Sequence, residues 1–454
     1  MKSILVDTTP VNTFDPGILN LGYEIVAEKW GLRKVHWRDE VDLADVGCIC
    51  FNVTYPLYVL NIVPFLKRNK LEVSVRAREK AGHPKVIVGG SGVSNLCGCL
   101  DEIADVVFRG ELDAEGIGNG ELGMRNWLNS QLLTPNSQFY CRQVLDTPPV
   151  VKTDEAGKST AVIELTRGCP HRCSFCEYSW AIGGPYREKQ PDLVIDQLDD
   201  LLAQYPSLRR KGLTVRTSSL GSYGYLLEVS EALCERNMKL RWADVNPQDW
   251  LEVVRVIKPL GITRLHLGIE SFTEAVRRRA GKRFSDDELA FVLSWAMKLC
   301  SYLHINLIFG LPGETDYTAW FAWVRRIDAI RKRIPHKLRI DFIITNFEPS
   351  CNTPWQDTPT VDFDLKDSYF LPAWIELLTE LGFYSLGKRE RIWYGSDFGR
   401  HGRKKLAHEL IMAIRHGGTE LTSAICNAFP SGVRRYVTDK NAFRFLNHER
   451  LNLY

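Results

Sequence analysis

The sequence predicts an α/β protein with a doubly wound (Rossmann-like) N-terminal domain, a partial six-stranded (β/α) barrel and a mostly helical C-terminal region. Over the first 150 residues, short apolar runs alternate with amphipathic stretches, the pattern of a parallel sheet with crossover helices. Six stronger apolar runs alternate with helical patterns between residues 161 and 341, and this rhythm fades after Pro354. The chain of 454 residues is long enough for two or three domains. We expect them at residues 1–150, 161–356 and 357–454.

The N-terminal strands are predicted from the runs SILV, VGCICFNV and KVIVGG, and helices are predicted over residues 18–31 and 57–69. Gly89 and Gly90 follow the third run directly. They predict a tight turn at a strand's carboxyl end, where open parallel sheets bind ligands. Residues 145–160 are polar, carry two prolines and are interpreted as a linker.

The barrel strands are predicted from six runs: AVIELT, GLTVRT, LRWADV, RLHLGIES, HINLIFGLPG and LRIDFIIT. Three of the intervening helices are predicted at residues 191–205, 285–300 and 318–333. Parallel strands joined by helices place their active-site loops at the strands' carboxyl ends. We therefore expect the functional residues in the loops that follow these runs.

Composition excludes several classes of protein. With 44% hydrophobic and 25% charged residues the chain is globular, and a net charge of +3 is too small to imply a polyanionic partner for the whole chain. The first residues lack a signal-like pattern and no run approaches about 18 apolar residues, so a cytoplasmic protein (in the host cytoplasm, if viral) with no membrane partner is expected. The twelve cysteines are accordingly interpreted as reduced thiols and metal ligands.

Three cysteines form a C-x3-C-x2-C cluster directly after the first predicted barrel strand: Cys169, Cys173 and Cys176. Three thiolates in one loop suit three irons of a 4Fe-4S cluster, and the fourth iron then keeps an open coordination site. His171 lies between two of these cysteines, so a structural Cys3His zinc site is the alternative. The position after a strand favours the iron-sulfur interpretation.

This motif, with Phe175 just before the third cysteine, resembles the signature of the radical S-adenosylmethionine (SAM) superfamily. The resemblance implies that SAM binds to the open iron and is cleaved by one electron to a 5′-deoxyadenosyl radical. It also implies an external electron donor, such as a flavodoxin-like or ferredoxin-like protein. The chemistry would belong to the cofactors, with the protein orienting them and excluding water.

Three later segments extend the resemblance in the order that the family requires. Residues 267–272, LGIESF, resemble the fourth-strand motif, which implies that Glu270 approaches the SAM ribose or amino group. Residues 307–315, LIFGLPGET, resemble the fifth-strand glycine motif, with Gly310 and Gly313 allowing backbone contact with adenine. Residues 346–354, NFEPSCNTP, resemble the sixth-strand ending.

One segment departs from the family pattern, and one lysine that matches the pattern is interpreted differently. After the second strand, where the family often has Gly-Gly-Glu, this chain has Arg216-Thr217-Ser218-Ser219, and Ser218 or Ser219 is expected to replace that element. Lys282 lies where relatives carry a basic residue near the SAM carboxylate, but it is interpreted here as a solvated helix charge.

Residues 86–111 resemble the cobalamin-binding-like domain that precedes many radical SAM barrels. The D-x-H-x-x-G motif that supplies the cobalt ligand in that family is absent, because His36 and His83 lie in other contexts. Cobalamin binding therefore stays an open alternative that the sequence does not favour. The pairs Cys48/Cys50 and Cys97/Cys99 do not have the spacing of a second cluster and are interpreted as buried thiols. The same interpretation covers the remaining cysteines: Cys141, Cys234, Cys300, Cys351 and Cys426.

Residues 388–450 carry about twice as many basic as acidic residues, with interspersed aromatic rings. A solvated helix face and a surface that grips nucleic acid are both compatible with this composition. The leading hypothesis is a radical SAM isomerase that acts on an amino-acid-modified thymidine in phage DNA, with DNA as its substrate. The alternatives are a cobalamin-dependent methyltransferase or methylthiotransferase, and a non-enzymatic iron-sulfur or zinc protein that binds nucleic acid.

Overall fold

The computed structural model describes residues 2–8, 26–28, 30–54, 59, 61–93, 100, 102–110, 138–139, 145–153, 159–182, 184–350, 352–359, 365 and 369–383. Within them the predicted α/β architecture is confirmed, with helices packed against a five-stranded parallel sheet and against the parallel strands of a partial barrel. The basic segment 388–450 and the cysteines at 97, 99, 141, 351 and 426 lie outside the described residues. No helix among the described residues is long and apolar enough to span a membrane.

The N-terminal sheet has five parallel strands in the order β2-β1-β3-β4-β5. These strands are β1 (Lys2–Asp7), β2 (Arg33–His36), β3 (Val46–Asn52), β4 (Lys85–Gly89) and β5 (Val106–Val107). Their two faces are buried in separate apolar clusters, as expected for a sheet covered on both sides. This order reverses between β1 and β3, so the crevice for a ligand lies at their carboxyl ends.

Two helices connect the strands of this sheet, α1 (Ile62–Arg68) and α2 (Val75–Ala81). The side chain of Ser74 caps α2 by accepting a hydrogen bond from the Ala77 amide, at 3.3 Å. Strand β2 was not predicted, because its four residues are half-buried or exposed at the sheet edge and carry little apolar signal.

The interpretation of residues 145–160 as a linker is wrong in part. Strand β8 (Val150–Thr153) pairs antiparallel with β9 (Ser159–Glu164), so ordered structure begins before the predicted barrel boundary. Val151 packs against the apolar core of the barrel, which outweighs the polar composition around it. Two further strands, β6 (Arg109–Gly110) and β7 (Gln138–Phe139), form a separate parallel pair.

Six parallel strands form the partial barrel, and all six match the predicted runs. They are β9, β12 (Thr214–Arg216), β13 (Ala243–Val245), β14 (Arg264–Glu270), β15 (Tyr302–Phe309) and β16 (Arg339–Asn346). A parallel bridge between Leu213 and Leu240 joins the β9-β12 side to the β13-β16 side. The short strands β10 (Thr166–Arg167) and β11 (Arg187–Glu188) pair antiparallel and close the base of the cysteine loop.

The helices cover the outside of the barrel. They are α3 (Pro191–Gln204), α4 (Leu208–Lys211), α5 (Leu226–Glu235), α6 (Trp250–Ile257), α7 (Glu274–Arg279), α8 (Asp286–Leu299), α9 (Thr318–Arg331) and, from the predicted C-terminal helical region, α10 (Leu371–Glu380). Ser285 and Glu288 form a reciprocal capping box at the start of α8, which explains why this helix begins where predicted. One continuous apolar core lies between these helices and the strands.

Alternation along β15 defines the two sides of the barrel wall. Leu303, Ile305, Leu307 and Phe309 are buried in the core under the helices. Because successive side chains of a strand point to opposite faces, the residues between them face the lumen. The lumen face of β15 therefore consists of Tyr302, His304, Asn306 and Ile308.

Candidate functional site

The cysteine loop begins at the carboxyl end of β10 and is folded by its own backbone. Gly168 has a φ of +78°, and a Cβ there would lie 2.6 Å from the Pro185 carbonyl oxygen, so only glycine fits. The Gly168 amide donates to the Tyr178 hydroxyl at 3.1 Å. The Cys176 amide donates to the Cys173 carbonyl at 3.0 Å, which closes the turn between two predicted ligands.

The three predicted ligand cysteines lie on this one loop, with Cys173 buried and Cys169 and Cys176 half-buried. Burial raises the pKa of the Cys173 thiol to about 12, although the ammonium of Lys282 opposes this rise. Burial also raises the pKa of Cys176, against hydrogen bonds from Ser179. Metal binding at such thiols must release protons, and a nearby cation stabilises the resulting thiolates.

Lys282 is the nearby cation, and the interpretation of it as a solvated helix charge is wrong. It follows α7, is 5% exposed, and its Nζ donates to the Gly268 carbonyl at 2.9 Å. Nζ also lies 3.2 Å from Oε1 of Glu270. Burial opposes the charge, but the Glu270 carboxylate and the cysteines raise the pKa of Lys282.

Glu270 occupies the end of β14, where the strand pairing shifts by one residue. Its φ of +69° is unusual for a residue other than glycine and re-aims its side chain toward Lys282. Backbone strain of this kind is stable only where the surroundings hold it, and it is common at functional sites. The structure therefore brings Glu270 and Lys282 together beside the cysteine loop.

Ser218 follows β12, as the sequence predicts for a replacement of the Gly-Gly-Glu element. Its buried hydroxyl has no hydrogen-bond partner among the residues that the structure describes. Ser219, by contrast, donates its hydroxyl to Asp249 at 2.5 Å and is buried. Ser218 is thus the better candidate of the two for contacting a bound molecule.

His171 is not held as a fourth metal ligand. Its Nε2 lies 2.8 Å from Oδ2 of Asp249, and its Nδ1 lies 3.4 Å from the side-chain amide nitrogen, Nε2, of Gln248. No group of three or more His, Cys, Asp or Glu side chains within the described ranges is close enough to hold a single metal ion. The ring instead ties the cysteine loop to the start of α6.

Phe175 and the glycine motif lie on two further sides of this region. The ring centroid of Phe175 is 6.5 Å from that of Trp355, which follows the sixth-strand segment. Gly310 and Gly313 have φ values of +79° and +86°. A Cβ on Gly313 would meet the guanidinium of Arg279 at 1.9 Å, so the absence of a side chain allows this contact.

A family model described as the radical SAM superfamily matches residues 163–320. That range contains the cysteine loop, Glu270, Lys282 and the glycine motif. Residues 163–320 form a radical SAM domain. The chain therefore contains a radical SAM domain, and the resemblance stated from its motifs is confirmed over these residues.

Curated relatives of this chain are distant. An uncharacterized methyltransferase of Pyrococcus horikoshii is 21% identical over 348 residues, which are 70% of this chain and 75% of the relative. A tRNA-2-methylthio-N(6)-dimethylallyladenosine synthase of Christiangramia forsetii is 24% identical over 187 residues, or 35% of this chain and 38% of the relative. The second similarity thus concerns only part of each protein.

Solved structures with the same fold include whole radical SAM proteins. TsrM of Kitasatospora setae, a radical SAM methyltransferase solved with cobalamin and a 4Fe-4S cluster, has a TM-score of 0.56 at 12% identity and covers 97% of this chain and 100% of its own. OxsB, a cobalamin-dependent radical SAM enzyme solved with aqua-cobalamin, has a TM-score of 0.55 at 13% identity, with coverages of 100% and 79%. At these identities the likeness shows the shared fold, including the Rossmann-like N-terminal part.

The lumen of the radical SAM barrel contains polar side chains that sequence reasoning missed. His266 and His304 stack with ring centroids 4.4 Å apart, and Trp242 stacks on His266 at 5.0 Å. Asp244 pairs with Nδ1 of His266 at 3.1 Å. Burial, with His266 and two arginines, lowers the pKa of His304 to about 2, so this ring is neutral at physiological pH.

Several polar atoms of the lumen are buried and lack hydrogen-bond partners among the described residues. They are Nε2 of His266, both ring nitrogens of His304 and Oδ1 of Asn306. Each buried polar atom left unpaired costs about 1–3 kcal/mol, so a ligand or ordered water is expected to satisfy them. The alternation of strand residues could have placed these side chains in the lumen from sequence, but not their lack of partners.

The carboxyl edge of the N-terminal sheet forms a second candidate binding region. Gly90 has a φ of +109°, and a Cβ there would lie 2.4 Å from the Val53 carbonyl oxygen. The Thr8 hydroxyl donates to the Asn52 carbonyl at 2.6 Å, whereas the buried Nδ2 of Asn52 has no partner within the described ranges. The unpaired amide ends β3, next to the point where the strand order reverses, and the Gly90 turn follows the neighbouring strand β4, so both fit a ligand that rests on this carboxyl edge of the sheet.

Neither His83 nor the pair Cys48/Cys50 lies at that carboxyl edge, whereas His36 ends β2 there. His83 precedes β4 and lies at the opposite, amino end of the sheet, and Nδ1 of His36 accepts from the Arg38 amide. Cys48 and Cys50 are buried in the apolar core with their sulfurs 3.9 Å apart. Outside this domain Cys300 is buried, whereas Cys234 is exposed on α5, so its interpretation as a buried thiol is wrong.

Proposed function

We propose that this chain is a cobalamin-dependent radical SAM methyltransferase. The observation that carries the proposal is the pairing of a radical SAM barrel with a 2-1-3-4-5 parallel sheet whose switch point holds the unpaired Asn52 amide. The methyltransferase name of the Pyrococcus horikoshii relative and the fold shared with TsrM and OxsB support it. Those comparisons give no support to isomerisation of a modified thymidine.

The bound groups would divide the chemistry between the two domains. A 4Fe-4S cluster on Cys169, Cys173 and Cys176, with SAM, supplies one-electron cleavage, and cobalamin supplies a carrier for a methyl group. The cobalamin would rest on the edge formed by Asn52 and Gly90, without a histidine ligand from this domain's described residues. This revises the expectation from sequence, which did not favour cobalamin.

The chain's own residues bind and orient these groups. Lys282 stabilises negative charge on the thiolates, and Glu270 fixes the position of the ammonium. The Ser218 hydroxyl can hydrogen-bond to the amino-acid part of SAM, in the place of the missing Gly-Gly-Glu element. Phe175 and Trp355 flank the loop with apolar surface that excludes water.

The acceptor of the methyl group would bind in the barrel lumen. His266, with Nδ1 paired to Asp244, presents an acceptor at Nε2, and Asn306 presents another at Oδ1. Neutral His304 presents one donor and one acceptor. This lining suits an uncharged polar substrate with N–H groups better than a purely apolar one.

The competing function is methylthio transfer, which the partial similarity to the tRNA-modifying synthase favours. That similarity covers 35% of this chain, and a second cluster would need further thiolates. Cys48 and Cys50 point into the apolar core of the N-terminal sheet, which argues against that role.

The test is anaerobic reconstitution with iron, sulfide and hydroxocobalamin, followed by reduction with methyl-labelled SAM. We expect about four irons and one corrinoid per chain, and label transferred to the corrinoid with release of S-adenosylhomocysteine. An Asn52→Leu variant should lose corrinoid while retaining iron. Deoxyadenosine formation without corrinoid binding would leave the radical SAM assignment intact and contradict the methyltransferase proposal.

A further inference from the structure

Exposed arginines lie on the cysteine loop and on the helical segment that contacts it. Arg172 lies in the loop itself, and Arg278, Arg279 and Arg283 lie in or just after α7. All four side chains are exposed. We call these four residues the arginine patch.

Backbone contacts hold the two segments of the patch together. The Ser174 amide donates to the Ala280 carbonyl at 3.0 Å, and the Ser174 hydroxyl donates to the Arg279 carbonyl at 3.3 Å. A Cβ on Gly281 would lie 3.3 Å from the Cα of Cys173. The patch is therefore fixed directly over a predicted cluster ligand.

The charge of the patch is only partly neutralised. Glu274 pairs with Arg278 at 2.8 Å. Arg172, Arg279 and Arg283 have no carboxylate partner among the residues that the structure describes. Asp249, which contacts the cysteine loop, pairs with His171 and Ser219 rather than with an arginine of the patch. The patch therefore presents a positive field beside the cysteine loop.

An exposed aromatic ring lies within this positive surface. Trp180 is 37% exposed, and its indole N–H donates to the Cys173 carbonyl at 2.9 Å. The guanidinium of Arg172 lies 5.3 Å from the centre of the ring. Tryptophan and arginine are the residue types that most often dominate the energetics of protein interfaces. Here the tryptophan of the pair is hydrogen-bonded to the backbone of Cys173, a predicted cluster ligand.

We propose that the arginine patch and Trp180 dock an acidic one-electron carrier protein, which reduces the cluster at this face. The inference rests on the proposed function only in requiring a cluster on the three cysteines. One electron leaves the carrier and enters the cluster, and no covalent bond forms or breaks. Charge complementarity raises the association rate of such partners by about ten- to a thousandfold and makes it sensitive to salt.

The experiment uses the full chain with its cluster reconstituted and a purified low-potential flavodoxin as the probe. The test variant is Arg172→Glu/Arg283→Glu, which leaves Arg279 in place beside the glycine motif. The matched control is Arg325→Glu/Arg326→Glu on α9, two exposed arginines on another face. Iron content, cluster bleaching and SAM cleavage are measured with limiting reduced flavodoxin, and again with dithionite plus methyl viologen.

We expect flavodoxin-driven bleaching and cleavage to fall at least about tenfold in the test variant and to stay within about twofold in the control. Iron content and dithionite-driven cleavage should be unchanged in both. The wild-type flavodoxin rate should fall as salt is raised. The single variant Arg283→Glu, outside the ligand-bearing loop, should give a smaller loss in the same direction, which separates docking from damage to the loop.

The proposal is overturned if the test variant is reduced by flavodoxin as fast as the wild type. It is also overturned if the rate of the wild type with flavodoxin does not depend on salt. A test variant that loses duplex DNA binding while its flavodoxin rate is unchanged overturns it too, because the patch would then be a nucleic-acid surface. Failure of dithionite-driven SAM cleavage in the wild type would contradict the radical SAM chemistry itself. In that case bleaching by flavodoxin still decides the docking question.

Discussion

Nζ of Lys282 lies 3.2 Å from Oε1 of Glu270 beside the cysteine loop, where the two side chains are 7% and 13% exposed. The two residues are twelve positions apart and meet because α7 and the loop after it fold back over the end of β14. Lys282 also binds the Gly268 carbonyl, so it joins the strand end to the loop that touches Cys173. This pair links the stability of the barrel to the charge at the predicted cluster.

Replacing Lys282 by Met is expected to lower the free energy of unfolding by about 3–5 kcal/mol, because Glu270 would stay buried without its partner. Denaturant unfolding measures the change. The double variant Lys282→Met/Glu270→Gln should recover part of the loss, since no uncompensated charge remains. Lys258→Met, at an exposed lysine after α6, is the control and should change stability by about 0.5 kcal/mol or less. An effect of Lys282→Met as small as the control's would contradict the importance of the pair.

Replacing Cys173 by Ala is expected to abolish both the bound iron and reductive SAM cleavage, because the buried thiolate is one of three predicted ligands. Iron analysis and chromatography of 5′-deoxyadenosine measure the two outcomes. Cys300→Ala is the matched control, since Cys300 is equally buried but donates only to the Ile262 carbonyl, away from the loop. If Cys173→Ala kept full iron content and cleavage, the ligand assignment would be wrong.

Replacing Gly90 by Ala is expected to destabilise the N-terminal domain by at least about 2 kcal/mol more than Gly82→Ala. Both glycines have positive φ, but a Cβ at Gly90 would collide with backbone atoms of Val53, whereas nothing lies within 4 Å of a Cβ at Gly82. Calorimetry gives the stabilities. Corrinoid binding should weaken in Gly90→Ala alone. Equal effects of the two substitutions would show that the close approach to Val53 has no structural role.

The buried Lys189 should make the free energy of unfolding rise with pH. It is fully buried, and its Nζ donates to the Thr147 carbonyl at 2.6 Å and to Gln197 at 2.9 Å. Burial lowers its pKa from 10.5 to about 8, against the opposing charge of Glu164. Between these pH values the unfolded chain binds more protons than the folded one, so the free energy of unfolding rises with pH.

The gain from Lys189 should approach roughly 3 kcal/mol between pH 8 and pH 10.5, at 1.36 kcal/mol per pKa unit. Other groups also titrate there, so the measured quantity is the difference between the wild type and Lys189→Met at each pH. That difference should grow in favour of the wild type as pH rises. A difference that is constant across this range would mean that the lysine titrates normally.

Strand and helix patterns in the sequence predicted most of the fold. Runs such as AVIELT and HINLIFGLPG became barrel strands because their apolar residues at alternate positions must be buried against helices. The helix over residues 286–299 was predictable from its capping box and apolar spacing. The edge strand β2 and the strand Val150–Thr153 were not predicted, because short or half-exposed strands depend on their neighbours more than on their own composition.

What the sequence by itself determined is the radical SAM domain and the position of the cysteine loop in it, because three cysteines within eight positions lie on one loop whatever the rest of the chain does. The assignment of individual SAM contacts stays a prediction. Only the tertiary structure decided that Lys282 is buried against Glu270 rather than solvated, and that His266, His304 and Asn306 face the lumen with unpaired atoms. These relationships join residues from different strands and loops, which only the folded chain brings together. Burial has the largest effect on the energy of a charge or a polar atom, and it too is a property of the folded chain alone.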